Sequence, residues 1–128
     1  MNIDHEGKFV WKSIPVKGTP PCPRFFHSMN YYQKLRILVV FGGRNDESGK
    51  RSETGSYLND LHVFNIDIMS WCSVSIEGSE PRRPRYAHSA CIFVDKLFIL
   101  GGITDEGLED CQFDVIELSK INTILFWV

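Results

Sequence analysis

The chain has 128 residues, 43% apolar and 23% charged, which is the size and composition of one globular domain rather than of a disordered chain. A formal net charge of -2 provides no global field for nucleic acid or an anionic membrane surface, and the longest apolar runs, "ILVVF" and "ILFWV", are five residues each against the ~20 of a membrane helix. The opening "MNIDHEGK" lacks the pattern of a secretory leader and no N-x-S/T acceptor occurs, so the expected setting is cytoplasmic or nuclear, with no nucleic-acid and no membrane partner.

Along the chain, short segments rich in Val, Ile, Phe and Tyr alternate with Gly, Pro, Asn and Asp clusters. That is strand and turn chemistry. The pattern predicts strands near 9–15, 25–33, 35–42, 61–66, 69–76, 86–94, 96–101, 113–118 and 123–128, and no window sustains helical periodicity. Two of these strands, "RILVVF" and "LFILG", are nearly continuous apolar runs, so both faces of each are expected to be covered. A Gly pair follows each run, where positive φ or close approach of another chain is needed. The four cysteines, Cys22, Cys72, Cys91 and Cys111, form no C-x-x-C pair, so free thiols are expected and no zinc site.

The markers recur with one period. Trp11 returns as Trp71 after 60 residues, His27 as His88 after 61, and Gly42-Gly43 as Gly101-Gly102 after 59. Trp127 falls where a third cycle marker is due, and the string "PRFFHS" at 23–28 returns as "PRYAHS" at 84–89. Sequence periods of this length signal a repeat architecture. A His beside a Ser invites a catalytic reading, but neighbouring strand residues point to opposite faces, and a catalytic pair does not recur once per repeat. Both histidines are therefore expected to be structural, each hydrogen-bonding where the first strand of its repeat begins.

Taken together, P-R-x-x-H-S, an apolar strand, a Gly pair, N-D with an alternating apolar stretch, and a closing Trp resemble the kelch motif. The matching residues are Arg24, His27, Gly42, Gly43, Asn59, Asp60, Phe64 and Trp71 in one unit, and Arg85, His88, Gly101, Gly102, Asp114, Leu118 and Trp127 in the next. Two departures are local: Leu118 stands where an aromatic is usual, and the turn between third and fourth strands is about two residues longer in the second unit. The resemblance implies an all-β fold, a kelch-type β-propeller segment of two four-stranded antiparallel blades plus one leading strand, incomplete as a ring. Residues 1–16 would form an N-terminal segment with the leading outer strand, 17–76 the first blade and 77–128 the second. Further blades would come from a longer chain or from self-association.

In an up-and-down sheet, loops alternate between the two ends, which should gather the long polar stretches 15–23, 44–59, 77–84 and 103–112 on one face. Loops on a rigid scaffold concentrate binding residues. Arg44, Asn45, Lys50, Arg51, Arg82, Arg83 and Arg85 are the candidate partner-binding residues, and guanidinium groups suit the carboxylates of an acidic peptide. A solvated mixed-charge rim is the plain alternative, since Asp105, Glu106, Glu109 and Asp110 are close in sequence. "GRNDESGKRS" misses the phosphate-loop spacing by one residue and has Arg51 where Ser or Thr would hold magnesium; "TDEGLED" lacks the alternating oxygen ligands of a calcium loop. Non-catalytic protein–protein interaction is therefore the expected function, with no catalytic residue, metal or cofactor. The alternative that the resemblance brings is a metal-dependent kelch-propeller enzyme, such as a copper-radical oxidase or an iron-dependent specifier protein.

Overall fold

A computed structural model describes residues 2–3, 6–46, 56–72, 74, 83–108 and 113–121. Its central sheet is a four-stranded antiparallel meander, β3 (Ser28–Tyr32), β4 (Ile37–Arg44), β5 (Tyr57–Asn65) and β6 (Ser70–Cys72), in sequential order. A second meander has β7 (Ser89–Phe93), β8 (Lys96–Leu100) and β11 (Phe113–Glu117). These are the two blades. The predicted fourth strand of the second, 123–128, lies outside the described residues, as do Trp127 and Cys111. No α-helix occurs among the described residues.

Several elements differ from the sequence expectation. The third strand of blade 1 begins at Tyr57 instead of 61, because a bulge at Gly42 lets Gly43 and Arg44 continue pairing with Leu58 and Tyr57. Within the predicted loop 103–112, β9 (Ile103–Thr104) and β10 (Gly107–Leu108) close a small hairpin. After β11, Leu118–Lys120 form one 3-10 turn. The predicted leading strand 9–15 shrinks to β2 (Phe9–Val10), which pairs with β1 (Asn2–Ile3), and Trp11 is 99% exposed. A strand needs a neighbour for its backbone groups and a face for its side chains, and residues 11–16 have neither among the described residues.

The core lies between the blades. Side chains alternate along a strand, so each blade has two faces. One face of blade 1, formed by Tyr32, Ile37, Val39, Phe41 and Val63, packs against Leu97, Ile99 and Ile116 of blade 2, with Leu118 and Ile121 beyond. Polar ties cross the same junction: Asn30 Nδ2 donates to the Ala90 carbonyl at 3.2 Å, and Tyr32 Oη to Asp95 Oδ1 at 2.5 Å. Backbone donors of Gly43, Arg85 and Ala87 reach Arg85, Leu58 and Phe26 carbonyls.

Because the blades are repeats, a position buried at their junction can have a counterpart that faces away. Tyr32 is 4% exposed, whereas Phe93, one period later, is 68% exposed. Strand β4 is covered on both faces, as its unbroken apolar run implies. Strand β8 departs from that expectation. Leu97 and Ile99 are fully buried, but Phe98 and Leu100 are only partly covered, since no further sheet lies against their side among the described residues.

The Gly pairs show the same asymmetry. A Cβ on Gly42 would lie 2.9 Å from the Arg85 carbonyl oxygen and 2.9 Å from His88 Cε1 of the neighbouring blade, while one on Gly101 would meet nothing within 4 Å. Both have left-handed φ, +65° and +68°, so an alanine at either carries a backbone cost of roughly 1–2 kcal/mol. Only Gly42→Ala adds a steric conflict with fixed backbone, for which overpacking costs of about 1–3 kcal/mol are typical. In dilute solution Gly42→Ala should thus lower unfolding free energy by about 2 kcal/mol more than Gly101→Ala. Equal losses in urea titrations would contradict the junction geometry.

Candidate interaction surface

Each repeat begins with an arginine that does not reach solvent. Arg24 Nη1 donates to Asp60 Oδ1 at 2.7 Å and to the Gly42 carbonyl at 3.0 Å, and Nη2 donates to Asp60 Oδ2 at 2.9 Å. The guanidinium thereby ties the lead-in of β3 to the end of β4 and to β5. Blade 2 repeats the brace: Arg85 Nη1 donates to the Gly101 carbonyl at 3.2 Å, and Nη2 pairs with Asp114. Both arginine side chains are 3% exposed. Arg85, whose place in the repeated string allowed either a brace at the blade junction or a partner-binding role on the loop face, is a buried brace and not a loop-face residue, because the acceptors that satisfy its fork are internal. Burial alone would raise the Asp60 carboxyl, but hydrogen bonds from Arg24 and from His62 (Nε2 to Oδ2, 2.6 Å) outweigh it and bring it to about 2.

The two histidines part company. His88 packs edge-on to Phe41, with ring centroids 5.3 Å apart, and Nε2 shares a 2.9 Å hydrogen bond with Ser28 of the other blade. Burial first, then the positive charge of Arg85 and the nearby His27, push the His88 ring down to about 4. It stays neutral at pH 7 and acts as a packing piece. His27, exposed, has no blade before it to reach among the described residues.

Above these braces, the lead-in of each first strand pairs with the end of a second strand. Phe25 and Arg44 exchange backbone hydrogen bonds of 3.0 and 2.9 Å, and Tyr86 and Ile103 exchange bonds of 3.2 and 2.9 Å. Left-handed φ values at Phe26 (55°) and Ala87 (56°) turn the chain here. The Phe26 ring is 61% exposed. It stacks near Tyr86 at 6.2 Å and meets Phe25 edge-on at 5.2 Å, while Tyr86 meets Tyr57 at 4.9 Å.

Arg44 completes this cluster. Its guanidinium carbon is 5.5 Å from the centroid of Tyr57 and 5.3 Å from that of Tyr86, a cation–π arrangement on two rings, and Nε donates to Asp46 at 2.9 Å. Arg83 pairs with Glu106 at 3.0 Å, so the blade-junction stretch and the β9–β10 hairpin adjoin. Asn45 donates its backbone N–H to Ser56, which closes the described part of the 44–59 loop. Lys50, Arg51 and Arg82 lie outside the described residues.

Of the sequence candidates, the geometry therefore brings together Arg44 and Asn45 at the end of β4 and places Arg83 against the neighbouring hairpin. The aromatic members, Phe25, Phe26, Tyr57 and Tyr86, were missed. A signal existed for three of them, since Phe25, Phe26 and Tyr86 occupy the variable positions within the otherwise constant P-R-x-x-H-S string. Tyr57 carried none, as its position depends on the bulge at Gly42. No group of three or more His, Cys, Asp or Glu side chains that could hold a metal ion occurs among the described residues.

Two stacked antiparallel blades with one repeated Arg–Gly–Asp-carboxylate brace define a kelch-type β-propeller segment. The KLHDC2/KLHL20/DRC7 Kelch-repeats domain matches residues 3–123, and the chain belongs to this kelch-repeat family. Similar proteins include dynein regulatory complex subunit 7 of Chlamydomonas reinhardtii, 34% identical over 95 residues, which are 74% of this chain and 8% of that protein. Acyl-CoA-binding domain-containing protein 5 of Arabidopsis thaliana is 37% identical over 115 residues, 89% of this chain and 16% of that one. The Rab9 effector protein with kelch motifs of Rattus norvegicus is 34% identical over 101 residues, 79% and 25% respectively. The chain thus spans a quarter or less of the length of these relatives.

Proposed function

We propose that this chain is a non-catalytic protein-interaction module that binds a partner polypeptide through the face bearing Phe26, Arg44, Tyr57 and Tyr86. The observation that carries this reading is the cluster itself. An exposed Phe beside two Tyr rings and an Arg combines the residue types that dominate binding energy at protein interfaces, and it sits on strand ends fixed by backbone pairing. The names of two similar proteins, a subunit of a regulatory complex and a Rab9 effector, agree with an interaction role. Arg44 supplies the positive group, so a segment carrying a carboxylate next to an apolar side chain is the ligand chemistry that fits. Arg83 extends the positive rim, and Lys50, Arg51 and Arg82 belong to the same proposed loop face by sequence position.

Selection from a displayed peptide library on the purified protein tests the reading. Acidic–apolar peptides should be enriched, and Arg44→Glu combined with Phe26→Ala should weaken them at least tenfold. Alanine is tolerated at residue 26 because blade 2 carries Ala87 at the same place with the same φ. Absence of enrichment, or binding unchanged in the double variant with an unaltered circular dichroism spectrum, would overturn this assignment.

A further inference from the structure

The two blades meet through one face of each, and among the described residues no further sheet lies against the other face of either. On the open side of blade 2, Cys91, Phe93, Phe113 and Val115 are exposed. On the open side of blade 1, Met29 and Tyr31 are exposed. By the repeat period, Cys91 and Phe93 occupy the positions that Asn30 and Tyr32 fill in blade 1, where both face blade 2. Met29 and Tyr31 likewise occupy the positions of Ala90 and Ile92, which face blade 1. The two open faces are therefore the two halves of the junction already present inside the chain.

The glycines and lead-in strings complete the correspondence. Gly42 receives the Arg85 carbonyl and the His88 ring, and the Gly43 N–H donates to that carbonyl at 2.9 Å. At Gly101, nothing among the described residues lies within 4 Å of the Cβ position. The string that would lie there, with an arginine carbonyl and a histidine three residues later, is present in this chain as Arg24 and His27, and His27 is exposed.

We propose that the open face of blade 2 receives the open face of blade 1 of a second copy of this chain, head to tail, repeating the internal junction. His27 of the incoming copy takes the place beside Gly101 that His88 takes beside Gly42. A Ser89 hydroxyl awaits it as Ser28 does His88. Because donor and acceptor faces differ, the contact is heterologous.

Sedimentation velocity on this 128-residue chain over a wide concentration range tests this directly. The expected result is a species heavier than a single 14.7 kDa chain, growing with concentration. Phe93→Asp and Met29→Asp, each at an exposed position on a different open face, should both give the single-chain mass. Mixing the two variants should restore a one-to-one dimer and nothing larger, since one intact face remains on each. As a measurement independent of whether those variants fold, Met29→Cys should form an intermolecular disulfide with Cys91 of another copy under mild oxidation, and Cys91→Ser should abolish it. A 14.7 kDa species at every concentration, or a larger species that survives both aspartate variants, would overturn the proposal. The loop-face variant Arg44→Glu should leave the mass unchanged, so failure here and failure of the peptide-binding assignment are distinguishable.

Discussion

Phe41→Ala should lower the unfolding free energy by about 3–5 kcal/mol, the range for deleting a buried aromatic ring. Phe41 is among the largest fully buried side chains and lies within the single apolar cluster between the blades. It also provides the surface against which the His88 ring packs at 5.3 Å. The loss therefore combines transfer of the ring from water, a cavity between two sheets that cannot both collapse onto it, and a loosened histidine contact. Against the ~5–15 kcal/mol typical of a whole domain, this approaches unfolding. Chemical denaturation followed by tryptophan fluorescence measures it. A loss under about 1 kcal/mol would mean that the blades do not share this core in solution. Phe98→Ala, on the partly covered side of β8 in blade 2, is the control and should cost far less.

Asp60→Asn should cost about 3 kcal/mol at pH 7, because it leaves the buried Arg24 guanidinium without its counter-charge while preserving side-chain volume. The figure is at the low end for a broken buried pair because Asp60 itself is partly exposed to screening solvent. The pH dependence has a definite sign. Asp60 lies at about 2 in the fold against an ordinary 3.8, so the unfolded chain binds the proton more readily. Its contribution is fully present above pH 3.8 and is lost as pH falls towards 2. Unfolding free energies of wild type and Asp60→Asn should thus differ most near neutrality and converge in that acid window. A difference that stays constant from pH 7 to pH 2.5 would show that the carboxylate charge is not what holds Arg24.

His88 works in the opposite chemical sense on the same principle. Its neutral form is the one that fits between Phe41 and Ser28, and the neighbouring Arg85 disfavours a second positive charge. Asp60 and His88 show why this repeat keeps its charged residues within the fold. Arginine carries the obligatory charge, the carboxylate compensates it, and the imidazole remains uncharged where two blades approach most closely.

Much of this was legible along the chain. The period from Trp11 to Trp71, from His27 to His88 and from Gly42 to Gly101 located the blades, and the markers enclosed between them answer to requirements of the fold. Gly42 illustrates it: positive φ and a carbonyl from the next blade admit no side chain. The unbroken apolar run of β4 announced a strand covered on both faces for an equally direct reason. The same rule misled at β8, whose run is just as apolar but whose second face is only partly covered among the described residues. Apolar composition records what a strand is suited to meet, and only the packed structure shows what it meets.

The role of the arginines is the sharper case. Arg44 and Arg85 both stood among the partner-binding candidates, each a positive residue close to a glycine or proline in a polar stretch, although only Arg85 belongs to the repeated P-R-x-x-H-S string. The tertiary structure sends Arg85 inward to Gly101 and Asp114, and lays Arg44 across Tyr57 and Tyr86. By itself, the sequence determined the strand meander, the repeat and the kelch relationship, all of which rest on contacts between residues near in the chain or one period apart. The folded structure decided which charges are braces, which aromatic rings share a surface, and which two faces stand open. Those depend on the direction in which each side chain leaves a bulged or turned backbone, and no one-dimensional spacing encodes that direction.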